Sequence, residues 1–122
     1  MNEHELEERL DFIEFRQELL FTNSPFDRLM FHYRVTRGQY KALIDLFVEY
    51  RGVVDNGGSL DSSRYETKIG EIIPHHKHDY HFAEDIAKTL HEERKFQEVF
   101  EELYGDSSKF QSYLESYKNQ YK

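Results

Sequence analysis

The 122-residue chain contains no cysteine and no tryptophan, and only two prolines and three alanines. Without thiols it can form neither a disulfide nor a thiolate metal site, a composition that suits a reducing compartment. With so little alanine, the space between elements must be filled by bulk, and ten Phe and nine Tyr supply it. Rings of that kind are expected to be buried, with many tyrosine hydroxyls left at water. No stretch approaches the roughly 18 apolar residues of a membrane-crossing helix. The N-terminal MNEHELEERL is acidic and lacks a basic stretch followed by an apolar run, so it does not read as a signal peptide. The expectation is a cytoplasmic chain that does not enter a membrane.

Charge is in excess on one side only. The formal net charge of −8 repels nucleic acid and anionic membrane surfaces as a whole. Residues 25–51 are the local exception, with five Lys and Arg against three Asp and Glu. Leu, Ile, Val and Phe together number 32, about a quarter of the chain and above the roughly one-fifth level that signals disorder. A chain of this length and composition is expected to fold as one helical domain over 1–122. Its parts are an N-terminal oligomerisation helix (1–24), a helical body (25–105) and a C-terminal helix (106–122).

Periodicity carries the fold class. From Glu3 to Phe21 there is no Gly or Pro, and Leu6, Leu10, Ile13, Gln17 and Leu20 follow the 4-3-4-3 spacing of a heptad seam. Phe12, Phe15 and Leu19 make a second apolar row, predicted to lie beside the first. A helix with two apolar rows contacts two neighbours, here its own domain and another copy of the chain. Ser24 and Pro25 predict the start of a second helix with Phe26, Leu29, Met30 and Tyr33 on one face. Thr36 and Gln39 have the spacing of a capping box opening a third, for which Gly52 is the predicted stop. Ser63 and Glu66 suggest another capping box, before a helix that Pro74 ends. Asp79 is the expected cap of a helix carrying Phe82, Ala83, Ile86 and Leu90, and the apolar face continues through Phe96, Val99, Phe100 and Leu103 to Gly105. Phe110, Tyr113, Leu114 and Tyr117 pattern the last helix. The predicted class is all-α: five to seven helices, a heptad-patterned first helix plus an irregular helical array.

These patterns resemble the YhaI-like family, small proteins of Bacillus and its relatives that carry a domain of unknown function. The likeness rests on the heptad-patterned first helix and on PFDRLMFHYRVTRGQYKALIDLF, which stands in the place of a Pro-aromatic helix, short turn and second helix. LHEERKFQEVFEEL is similar to a Leu-aromatic-Glu stretch that precedes the family's last helix. The resemblance implies an all-α fold and implies no activity.

Chemistry-bearing residues concentrate in PHHKHDYH, residues 74–81. If a helix begins near Asp79, His81 and Asp85 share a face at i and i+4, and His78 just before it could complete an open metal site. The competing reading is a polar connection whose imidazoles bond locally. Asp55, Ser59, Asp61 and Glu66 occupy positions 1, 5, 7 and 12 of a calcium-loop pattern, but Gly57 and Leu60 stand where an oxygen ligand and the turn glycine belong. Residues 25–51 also suit a helix-turn-helix with Arg28, Arg34, Arg37 and Lys41 toward phosphates, against which the acidic flanks weigh. The sequence has no phosphate-binding glycine loop, nucleophile elbow or H-E-x-x-H. The expected function is therefore non-enzymatic and without a cofactor. It is a homo-oligomeric interaction domain that associates with itself through Leu6, Leu10, Ile13, Gln17 and Leu20 and binds another protein through aromatic-rich helical surface. The alternative is a metal-binding protein using the His75–His81 cluster, and DNA binding by residues 25–51 comes third.

Overall fold

A computed structural model of the chain describes residues 1–120. Its regular elements are all helical. They are α1 (Glu3–Thr22), α2 (Pro25–His32), α3 (Arg37–Asp55), α4 (Ser62–Ile72), α5 (Tyr80–Glu92), α6 (Gln97–Tyr104) and α7 (Gln111–Gln120), with single 3-10 turns at Pro74–His76 and Ser108–Phe110. The all-α class with five to seven helices is thus what the chain adopts. Tyr121 and Lys122, the end of the expected C-terminal helix, lie outside the described residues.

Side-chain caps set most of the helix starts. Ser24 accepts from the Asp27 amide ahead of Pro25, and Asp79 accepts from the Phe82 amide. Thr36 and Gln39 form the full capping box, each side chain bonded to the other's backbone amide. The second capping box does not form. Asp61 caps α4 by accepting from the Ser63 amide, so Ser63 is already inside the helix, and Glu66 turns instead toward the Tyr104 hydroxyl. Gly52 is not a stop either. Its carbonyl accepts from the backbone and side-chain amides of Asn56, and α3 ends where Gly57, at φ +82°, sends its amide to Val54 while Gly58 bonds Val53. The same pair of bonds closes α2, with Arg34 at φ 57°, and α5, with Arg94 at φ 64°. An arginine in the left-handed position is no sequence signal, which is why α5 and α6 read as one continuous apolar face.

α5 sits at the centre, packed on α2, α4 and α6, while α3 lies against α4 and α6. Two of the chain's three alanines, Ala83 and Ala87, are buried one turn apart on α5, where small side chains let neighbours approach. Rings fill the rest. Tyr65 is fully buried and stacks edge-on with Phe47 at 5.7 Å, while Phe100 meets Phe110 at 5.3 Å, so the body continues past residue 105. Tyrosine hydroxyls are less wet than the composition suggests. Tyr65 donates to the Ala83 carbonyl at 2.6 Å and Tyr40 to Asp27 at 2.8 Å. Burial pushes both phenols upward, helped at Tyr40 by the bond to Asp27, so both remain donors.

α1 joins this body through α2, two residues away in sequence. Phe15 and Leu19 are its buried side chains. Arg37, at the start of α3, reaches back to Asp11 at 3.0 Å and Glu18 at 2.8 Å, and Arg16 lies 3.8 Å over the Phe31 ring while donating to the Phe31 carbonyl. These polar ties fix the rotation of α1 on the body.

Candidate functional site

That rotation decides which side of α1 meets solvent. Leu6, Leu10, Ile13 and Leu20 are 48, 51, 54 and 52% exposed, and Gln17 in the same line is exposed as well. Phe21 extends the strip and is 91% exposed. At about 100° of rotation per residue, Phe15 stands roughly opposite the middle of the seam. The two apolar rows are therefore back to back on the helix and not side by side, and α2 takes the Phe15 and Leu19 side. All of residues 1–11 are exposed. The 20 residues of α1 span about 30 Å, and only the second half is held by the body. Apolar side chains at this spacing on a preformed helix can bury surface against another helix; they offer no group for catalysis.

The histidine segment is occupied by bonds within the chain. His75 Nε2 lies 3.2 Å from the Tyr33 carbonyl oxygen. His76 stacks on Phe82 at 4.2 Å, meets Tyr33 edge-on at 4.8 Å, and places Nδ1 3.3 Å from Asp79. These contacts tie the end of α2 to the start of α5. The proposed ligand set of His78, His81 and Asp85 does not converge. Among the described residues no group of three or more His, Asp or Glu is arranged to hold a metal ion. Beside His81 stands Lys109, whose ammonium sits 2.7 Å from Glu84 and 3.4 Å from His81 Nδ1. An ammonium only donates, so His81 accepts at Nδ1 and the cation position beside it is filled by the chain itself.

Residues 25–51 do form two helices joined by a four-residue turn, but their cations are engaged at home. Arg28 donates to the Asn23 carbonyl, Arg34 lies over the Phe12 ring, Arg37 bonds Asp11 and Glu18, and Lys41 pairs with Asp45. In the calcium-like stretch, Asp55 closes α3, Asp61 caps α4 and Glu66 faces Tyr104, three separate structural duties.

Two ionisable sites were not legible beforehand. A cleft of about 380 Å³ opens between α4 and residues 77–80, lined by Glu66, Glu71, Lys77 and Tyr80 among others. Burial, then repulsion from Glu84, holds the Glu66 carboxyl above its usual range. His91 on α5 is fully buried. Its Nδ1 lies 2.6 Å from the Tyr113 hydroxyl, its Nε2 has no hydrogen-bond partner, and the Glu101 carboxylate is 3.9 Å away. Burial pushes this imidazole down and the Glu101 carboxyl up, which favours the neutral form of both. Of these features, the exposed seam of α1 is the one with a partner-sized surface. Phe21 extends it, next to Leu20, although its spacing breaks the heptad, which is why the heptad pattern did not pick it out. Comparison with known proteins places the chain beside none of them: no family model, no curated protein and no solved structure matches it.

Proposed function

We propose that the chain is a helical protein-interaction domain that acts in the cytoplasm as a homo-oligomer, with the seam of α1 as its contact and no catalytic step of its own. The observation that carries this is the line Leu6, Leu10, Ile13 and Leu20, about half exposed on a helix whose opposite side is already bound to the body. Completing the burial of a Leu or Ile contributes about 1 kcal/mol when half remains exposed. Four such residues and Phe21 from each of two copies supply about 10 kcal/mol, against an association cost of about 4–15 kcal/mol. At the low end of that cost about 6 kcal/mol remains, which corresponds to reversible assembly with a Kd of tens of micromolar. The same patterns that resemble the YhaI-like family, the first helix above all, support kinship with it as part of this proposal.

Light scattering on the purified chain between about 1 and 1000 µM tests it, limits that bracket a Kd of tens of micromolar. The expected mass rises with concentration from the 14.8 kDa of one copy to at least twice that. A mass of one copy throughout refutes the reading.

A further inference from the structure

The charged residues of α1 divide by side. Those facing away from the seam have partners in the chain: Asp11 and Glu18 bond Arg37, and Glu8 pairs with His4 at 2.9 Å, while Arg16, beside the seam, is taken up by the Phe31 carbonyl. Glu7, Arg9 and Glu14 flank the seam, and among the described residues none of them forms a hydrogen bond or an ion pair. Resting on the self-association proposed above, we infer that the occupant of the seam is a second copy of this chain, laid parallel and in register.

The heptad register makes the case. With Leu6, Ile13 and Leu20 at position d and Leu10 and Gln17 at a, Arg9 and Arg16 fall at g while Glu7 and Glu14 fall at e. In a parallel pair, position g of one heptad stands beside position e of the next heptad on the other strand. Arg9 then faces Glu14 of the second copy, twice by symmetry. In an antiparallel pair g meets g and e meets e, which here sets cation against cation and carboxylate against carboxylate in every register. Gln17 points the same way. In register, the two Gln17 side chains meet at the axis and their amides bond each other; in the fully overlapping antiparallel arrangement Gln17 is buried against Leu6 without a partner. The body does not obstruct the parallel pair, because Phe15 and Leu19 hold it on the far side of each helix. The second half of the helix is anchored on the body before it meets its copy, so association carries only part of the ordering cost that makes a short isolated helix marginal.

The absence of cysteine from the chain gives a clean test. Leu6→Cys and Gln17→Cys variants are mixed in equal amounts in a glutathione redox buffer, and the disulfide species are separated by mass. Positions 6 and 17 are about 16 Å apart along the helix, well beyond the roughly 7 Å between Cα atoms that a disulfide spans. A parallel, in-register pair yields the two same-residue disulfides in large excess over the mixed one. In a separate experiment without cysteines, Arg9→Glu weakens dimerisation about tenfold, and adding Glu14→Arg restores it. Predominance of the mixed disulfide, with Arg9→Glu tightening the dimer against Arg16, overturns the parallel arrangement while leaving self-association through α1 intact. Absence of any disulfide together with a one-copy mass by light scattering overturns both.

Discussion

On the proposal that the two apolar rows of α1 serve different partners, replacing Leu10 and Ile13 together by Glu should separate folding from assembly. Both side chains are about half exposed in the single chain, so their loss costs the fold no more than about 0.5 kcal/mol each. Phe15→Ala, on the other row, empties a site that is 5% exposed and costs about 3–5 kcal/mol. At roughly 4 °C per kcal/mol for a domain of this size, the first variant melts within a few degrees of wild type and the second about 12–20 °C below it. Assembly responds in the opposite order. Losing two half-burials in each of two copies removes about 4 kcal/mol, a factor of about a thousand in Kd, before the cost of placing carboxylates in an apolar seam. Melting is followed by circular dichroism at low micromolar concentration and mass by light scattering at high concentration. If the double variant melts as low as Phe15→Ala, the seam is packed within the chain and the reasoning fails. If its mass still rises with concentration as wild type's does, the contact lies elsewhere.

The same substitution should have opposite signs at two glycines. Gly38→Ala, in open space inside the first turn of α3, raises stability by about 0.5–1 kcal/mol. Gly57→Ala, also in open space but at φ +82°, lowers it by about 1 kcal/mol; equal shifts in urea midpoint would refute the assignment of that helix end. Burial holds His91 below its usual range, so on acidification the unfolded chain takes up this proton first. The stability it contributes is whole above about pH 6.5 and is lost as pH falls below that value. The raised carboxyl of Glu101 acts in the opposite sense at lower pH, so the readout is a comparison: between pH 7.5 and 5.5 the melting temperature of wild type should fall more than that of His91→Phe, and parallel profiles would show that His91 does not titrate there. Finally, with Lys109 beside His81 and Glu84, a chelator should leave the melting temperature of protein prepared without a metal column unchanged; a drop that zinc reverses would reinstate a histidine site.

What could be read from the sequence was whatever depends on neighbours in the chain. Ser24, Thr36 with Gln39, and Asp79 act on amides three residues away, and each was found where the pattern put it. What could not be read depends on contacts distant in sequence. The choice between Ser63 and Asp61 as cap follows from Glu66 turning to Tyr104, 38 residues on. The break between α5 and α6 uses left-handed Arg94 and Phe96, which no glycine announces. The seam was legible as a row, and its place opposite Phe15 follows from about 100° per residue, but which row faces the body was not legible, because the docking of α2 and the reach of Arg37 set the rotation of α1. The histidine set was legible as a cluster, but not the arrival of Lys109 beside His81 from the far end of the chain.

Amide hydrogen exchange as a function of concentration tests the central claim most directly, since it reports both that copies meet and where. Residues 3–11 belong to a helix that the chain's own body does not cover, so in a dilute sample their amides should open and exchange readily. Docking of a second copy along Leu6 and Leu10 closes that route. The account predicts that protection over residues 3–11 rises as the protein is concentrated while that of α5 stays constant. Exchange over residues 3–11 that is the same at every concentration, or new protection confined to another element, would contradict it.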